Sequence, residues 1–233
     1  MVFMSRQKPV FVWAHRGASA MAPENTMVAF RLAEAAGADG IELDIHINRD
    51  GLPVVIHDET LDRTTSGAGP VSTIDTASLL GLDAGGWFAD DYLGERVPLL
   101  AEVLTWAGDR IRVNIEIKSA EAGQAVLETL RDFPRARVLV SSFNHKLLCH
   151  LRQTDASLPI GFLIDSRFWR LAARRAVSCA AESFHPPVKH VSRAMVTWCH
   201  RHNLTVYPWT VDAPERKRAL LRLGVDGFFT NIP

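Results

Sequence analysis

Residues 41–47 read Ile41-Glu42-Leu43-Asp44-Ile45-His46-Ile47, four aliphatic residues alternating strictly with three polar ones. Successive side chains on a strand point to opposite faces, so this is a strand with one apolar face and one face carrying two carboxylates. Glu42 and Asp44 then lie about 7 Å apart along that face. The pattern returns at Val113-Asn114-Ile115-Glu116-Ile117-Lys118, where Asn114, Glu116 and Lys118 take the polar positions.

Outward from these two strands, short β-branched runs alternate with amphipathic stretches of about ten residues or more, the form of a parallel sheet built from βαβ units. The runs are residues 10–14, 40–47, 53–57, 112–118, 137–143, 160–164, 205–211 and 227–230, with a weaker one at 179–184. Residues 53–57 follow their predecessor through Asn48-Arg49-Asp50-Gly51, too tightly for a crossover helix, and are set apart as an extra segment. Eight strands remain, and helical patterns follow seven of them, at 26–36, 99–107, 121–133, 146–154, 167–177, 188–202 and 214–223. This arrangement predicts an α/β fold, a (β/α)8 TIM barrel, as one domain over residues 1–233. Residues 60–97, rich in Gly, Asp, Ser and Thr, form an insertion between the second barrel strand and its helix, in the manner of lids and small subdomains. The last strand runs into Thr230-Asn231-Ile232-Pro233 with no eighth helix after it, which either a truncated sequence or an incomplete outer ring would explain.

Composition bounds the function. Lys and Arg together number 26, as do Asp and Glu, so no net field draws the chain to polyphosphate, and nucleic acid is not an expected partner. At 47% apolar residues the 233-residue chain has ample material for a core and is not disordered. Cys149, Cys179 and Cys199 make no complete disulfide framework and show no zinc-ligand spacing, which points to a reducing compartment. The start lacks an apolar targeting segment, and the first apolar run stops at Ala14, so no stable membrane insertion and a soluble, cytoplasmic protein are expected.

Barrel strands meet helices on their outer side, so polar faces point into the lumen. Ionised carboxylates there are costly unless positive charge compensates them. Glu42, Asp44 and Glu116, three carboxylates from two neighbouring strands with no cysteine among them, describe a site for one hard divalent cation, Mg²⁺ or Ca²⁺. The alternative is a buried ion-pair network between Lys118 and these acids. His15-Arg16 and His57-Asp58 end their strand runs, the end where barrel active sites lie. A histidine beside a metal is suited to general acid–base catalysis, although one taken singly is more often a structural hydrogen-bonding group. Arg16, with bidentate donors, and Lys118, a point charge, suit a phosphoryl or carboxylate oxygen.

In chain order, Ala14-His15-Arg16-Gly17, Pro23-Glu24-Asn25-Thr26, Glu42-Leu43-Asp44, His57-Asp58, Leu61-Asp62-Arg63-Thr64, Asn114-Ile115-Glu116-Ile117-Lys118, Ser141-Ser142-Phe143, Trp209-Thr210-Val211 and Gly224-Val225-Asp226-Gly227 resemble the hallmarks of the glycerophosphodiester phosphodiesterases. The resemblance spans nearly the whole chain and looks most like the cytosolic bacterial members. It implies that Glu42, Asp44 and Glu116 hold one divalent ion and that His15 and His57 are the acid–base pair. The implied substrate is a small-molecule glycerophosphodiester, cleaved to glycerol 3-phosphate and an alcohol through a cyclic phosphate that the substrate's own hydroxyl forms. The absence of a Gly-x-Ser-x-Gly elbow or an obvious cysteine nucleophile suits this chemistry.

By the same resemblance Phe143 and Trp209 flank the glycerol or the entrance, with rim packing as the alternative. Asn231 stands where the family commonly has Asp, a departure that, with the absent closing helix, bears on closure and oligomeric state rather than chemistry. A lysophospholipid substrate is the second reading; it needs an apolar trough, for which residues 87–93 and Phe168-Trp169 are the candidates. A catalytically silent binding module is the third, and against it every polar position the chemistry needs is filled. His185 reads as a capping or loop residue, His46 as a support for the site, and the basic stretch 167–175 as a solvated helix face.

Overall fold

The structure is a computed structural model, and it describes residues 10–233. Eight parallel strands surround the lumen: β1 (Phe11–Ala14), β2 (Gly40–Ile47), β4 (Arg112–Ile117), β5 (Val138–Ser142), β6 (Ile160–Leu163), β7 (Ser183–His185), β8 (Thr205–Val206) and β9 (Gly227–Thr230). The remaining strand, β3 (Pro53–Val55), runs antiparallel to β2, with Val55 opposite Ile45, as an extra segment outside the βα alternation. Seven helices form the outer ring: α1 (Met27–Ala35), α3 (Leu100–Ala107), α4 (Ala122–Arg131), α5 (His145–Thr154), α6 (Trp169–Ser178), α7 (Arg193–Arg201) and α8 (Pro214–Leu223). The short α2 (Thr76–Leu79) belongs to the insertion.

Strand ladders run β8-β7-β6-β5-β4-β2-β1-β9, and the ring closes between its two ends. Val211 N donates to Phe229 O at 2.8 Å and Phe229 N to Pro208 O at 2.9 Å. Closure therefore needs no eighth helix, because the strands themselves satisfy the edge groups. The β8 ladder is regular only to Val206, short of the expected 205–211: Pro208 has no N–H to offer, while Tyr207 N and Trp209 N still donate to Phe184 O and Pro186 O at 3.0 Å. The helix expected over 188–202 starts only at Arg193. Residues Val188–His190 behind Pro186-Pro187 make a single 3₁₀ turn, and Ser192 then caps α7 by accepting from Met195 N.

Alternation along the strands sorts the core. The outer faces pack Ile41, Leu43, Ile45, Val113, Ile115 and Ile117 against the helices. Inside the ring, Trp13, Tyr207 and Phe229 with Leu139 form an apolar floor, the Trp13 and Phe229 rings stacked at 5.7 Å. The polar positions of β2 and β4 lie in this lumen, side by side: Glu42 is opposite Asn114 and Asp44 opposite Glu116. The insertion carries a small core of its own, where Leu61, Val71, Leu79, Ala84 and Val97 cover Val54 and Ile56.

One expectation drawn from the cysteines is overturned. Cys149 on α5 and Cys179 at the end of α6 are joined in a disulfide, their Cα atoms 5.3 Å apart, and Cys199 is free and buried. A single bridge needs no framework, only neighbouring helices, so the cysteines no longer argue for a reducing compartment. No described helix is long and apolar enough to cross a membrane.

Candidate active site

At the C-terminal end of the strands a cavity of about 210 Å³ opens. Its wall includes His15, Arg16, Glu42, His57, Glu116, Lys118, Phe143 and Trp209. These are eight of the nine residues singled out from the sequence. Asp44, the ninth, lies fully buried behind the wall. Asn114, Leu163 and Phe229 complete the lining; Asn114 belongs to the polar face of β4, while no pattern in the sequence marks the other two.

Glu42, Asp44 and Glu116 bring carboxylate oxygens within 4.8 Å of one another, all three buried. Lys118 Nζ bridges two of them, at 2.8 Å from Asp44 Oδ1 and 2.5 Å from Glu116 Oε1. Arg16 approaches Asp44 with Nε at 3.2 Å and gives its backbone N–H to Glu42 Oε2 at 2.9 Å. Asn25 Nδ2 donates to Asp44 Oδ2 at 2.8 Å. The ion-pair network is thus present, yet it leaves Glu42 Oε1 buried without a hydrogen-bond partner. Two cations face three carboxylates.

The electrostatics follow from that surplus. Burial, then repulsion from Asp44 and Glu116, pushes the Glu42 carboxyl well above the usual range. Glu116 is pushed up to about 7 by burial and by Asp44. Burial opposes ionisation of Asp44 too, but Lys118 and Arg16 outweigh it and hold that carboxyl well below its ordinary value. The donor set fits a hard divalent cation: all oxygen, close together, with Glu42 Oε1 lacking any donor, and one charge short of balance.

Local backbone positions these groups. Arg16 and Asn25 both adopt left-handed backbone, with φ of 57° and 58°, which non-glycine residues rarely do. These turns after β1 and before α1 aim the Arg16 N–H at Glu42 and the Asn25 amide at Asp44. Thr26 then caps α1, its Oγ1 accepting from Ala29 N.

The two histidines have different partners. His15 Nδ1 lies 2.8 Å from Asn231 Oδ1. His57 Nδ1 lies 2.6 Å from Asp58 Oδ1. Arg63 binds Asp58 through Nε at 2.6 Å and Glu24 through NH1 at 3.0 Å, and Glu24 also receives Arg16 NH1 at 2.9 Å. A chain of ion pairs therefore runs from Arg16 to His57 along the rim. Its members Glu24, Asp58 and Arg63 sit in motifs quoted above, yet strand alternation gives them no role, since they lie on loops. His46 Nε2 is 3.0 Å from the His57 carbonyl and so supports the loop that carries His57 from the β2 side.

Phe143, about half exposed, meets the Trp209 ring edge-on with centroids 5.8 Å apart at the mouth. Trp209 Nε1 donates to His185 O at 2.9 Å. His185 is neither a cap nor a loop residue. It ends β7, fully buried in the lumen, with Nε2 2.7 Å from Ser183 Oγ, and burial lowers its pKa to about 3. Of the apolar surfaces considered for an acyl chain, Trp169 is corrected: it is buried against Trp198 with centroids 5.8 Å apart, whereas Phe168, Trp87 and Leu93 are exposed.

Residues 15–233 match the glycerophosphoryl diester phosphodiesterase family. A glycerophosphodiester phosphodiesterase of Caldanaerobacter subterraneus subsp. tengcongensis is 39% identical over 232 residues, 95% of this chain and 94% of the relative. Among solved structures, a phosphodiesterase of Oleispira antarctica in complex with the product sn-glycerol-3-phosphate superposes with a TM-score of 0.89 at 28% identity, covering 96% of this chain and 93% of that one. A putative glycerophosphoryl diester phosphodiesterase of Silicibacter pomeroyi gives 0.88 at 27% identity, covering 98% and 92%. Fold, site and sequence agree, and the chain belongs to the glycerophosphoryl diester phosphodiesterase family.

Proposed function

We propose that this chain is a metal-dependent phosphodiesterase that hydrolyses glycerophosphodiesters to glycerol 3-phosphate and an alcohol. The observation that carries the reading is a single cavity wall holding His15, His57, Glu42 and Glu116, with Asp44 directly behind it. Glu42, Asp44 and Glu116 are the residues to hold one divalent cation, Mg²⁺ or Ca²⁺. When bound, the ion supplies Lewis-acid polarisation of a phosphoryl oxygen and balances the surplus negative charge.

The chain's own groups do the rest. Arg16 and Lys118 bind and orient the phosphoryl oxygens, and Phe143 and Trp209 bracket the substrate at the mouth. One histidine takes the proton of the glycerol hydroxyl beside the phosphate, and that oxygen attacks phosphorus. The other gives a proton to the oxygen of the departing alcohol, leaving a cyclic phosphate. The roles reverse when water opens the ring. A nucleophile from the substrate accords with a cavity whose described wall has no serine or cysteine. The Oleispira antarctica relative, solved with glycerol 3-phosphate as product, supports this substrate class.

Incubating the protein with glycerophosphocholine or glycerophosphoethanolamine, in EDTA or in Mg²⁺ or Ca²⁺, tests the reading. Glycerol 3-phosphate released only with added cation is the expected outcome. Full turnover in excess chelator overturns the metal role, and no product from either diester overturns the substrate. Faster turnover of lysophosphatidylcholine transfers the site to lysophospholipids.

A further inference from the structure

We propose that Asn231, braced by Asp212, fixes the tautomer of His15 so that the Nε2 lone pair is the one presented to the cavity; this rests on the acid–base reading above. An amide presents one acceptor and one donor, so its orientation dictates which hydrogen the facing ring must carry. Asn231 Nδ2 donates to Asp212 Oδ2 at 2.8 Å, and the Asn231 backbone N–H donates to Asp212 Oδ1 at 2.7 Å. Thr230 Oγ1 anchors the same carboxylate at 3.0 Å. Reversing the amide would set its oxygen against the Asp212 carboxylate, oxygen on oxygen. Asn231 Oδ1 therefore faces His15 Nδ1 at 2.8 Å, and Ser19 Oγ lies 2.9 Å from the same oxygen.

An oxygen acceptor at that distance requires the hydrogen on Nδ1, which leaves the lone pair on Nε2. His15 Nε2 has no hydrogen-bond partner among the described residues, and the ring forms part of the cavity wall. His57 differs at the corresponding atom, because its Nδ1 faces the carboxylate of Asp58 rather than an amide oxygen. The charged groups that face the His15 ring are Arg16, Asp44 and Lys118. Burial and Arg16 together lower its pKa, so it begins neutral. Where His15 acts as the base, the proton passes to Nε2, and the O–H electron pair stays on the oxygen that attacks phosphorus. Asn231 is thus a positioning residue that acts through His15.

The test reads the tautomer directly. In ¹⁵N-histidine-labelled protein, with the His15 signal assigned by its loss in His15→Ala, the neutral ring is expected to carry its hydrogen on Nδ1. Asn231→Leu, of similar shape, is expected to mix the tautomers and lower kcat by about 10- to 100-fold with KM within about twofold. Asn231→Asp combined with Asp212→Asn, which keeps an oxygen toward the ring and restores a donor–acceptor contact at the brace, is expected to recover most of that loss. Hydrogen on Nε2 in the unaltered protein overturns the inference whatever the variants do, as does an Asn231→Leu protein with full kcat. Absence of any diesterase activity, with the Nδ1–H tautomer present, would instead count against the reading of function on which the inference rests.

Discussion

Glu24 and Asp58, on the rim, differ from Glu42, Asp44 and Glu116, in the lumen, in how their charge is met. On the rim each carboxylate has its own strong donors: Arg63 reaches both, and Arg16 reaches Glu24. Burial opposes ionisation of Glu24, but the Arg63 hydrogen bond and Arg16 prevail, and its carboxyl stays below the usual range. The Arg63 bond, with little burial against it, holds Asp58 lower still. In the lumen Lys118 and Arg16 are shared among three acids, and Glu42 and Glu116 are pushed up instead. The rim is electrostatically complete with protein groups alone. The lumen has a place for one more positive charge, and that is where the proposed reaction centre lies.

The largest expected effect sets the two groups against each other. Asp44→Asn or Glu116→Gln should lower kcat/KM by about 10³-fold, and Glu24→Gln by only about tenfold. Steady-state kinetics at saturating cation decide it, and equal losses would erase the distinction between rim and lumen.

The second effect is a stability trend of opposite sign in the two groups. A carboxyl whose folded value lies above its unfolded one is protonated in the folded chain first, so its contribution is lost as pH rises. In EDTA the Tm should therefore fall by about 5 to 10 °C between pH 5 and 8, as Glu42 and Glu116 are forced to ionise. Mg²⁺ or Ca²⁺ should flatten or reverse that fall, because the cation binds the ionised acids. Glu24 contributes in the other sense: its stabilisation is present above its unfolded value and disappears only as pH drops below about 4. A Tm in chelator that rises from pH 5 to 8 would contradict the surplus-charge picture.

The smallest effect is on the rim. Arg63 is partly exposed, so Arg63→Ala should cost at most about 1 to 2 kcal/mol of stability. Its kcat should fall about tenfold, since Asp58 loses the group that steadies it against His57. A thermal shift beyond about 6 °C would mean that the rim bears on folding rather than on the aim of the histidine.

Much of the site was legible along the chain because strand alternation is strictly local. Two residues apart means the same face, so Glu42 with Asp44, and Asn114 with Glu116 and Lys118, could be assigned to a lumen before any neighbour was known. Apolar runs alternating with helical patterns carried the barrel in the same way, down to the extra segment at Pro53. The shortfalls lie where local period meets a competing constraint: Pro208 interrupts the β8 ladder, and Ser192 delays α7.

What the amino-acid order determined by itself is which side chains share a strand face, and hence that carboxylates and a lysine enter one interior. Only the closed ring decided which of them sit at the wall and which behind it, that Asp44 is the one withdrawn, and that Lys118 pairs with Asp44 and Glu116 while Glu42 Oε1 is left bare. The His15 contact with Asn231 spans 216 positions and that of Arg63 with Glu24 spans 39. The Cys149–Cys179 bridge depends on two neighbouring helices. Such pairings follow from the curvature that brings first and last strands together, and curvature is a property of all eight strands at once, which no local period encodes.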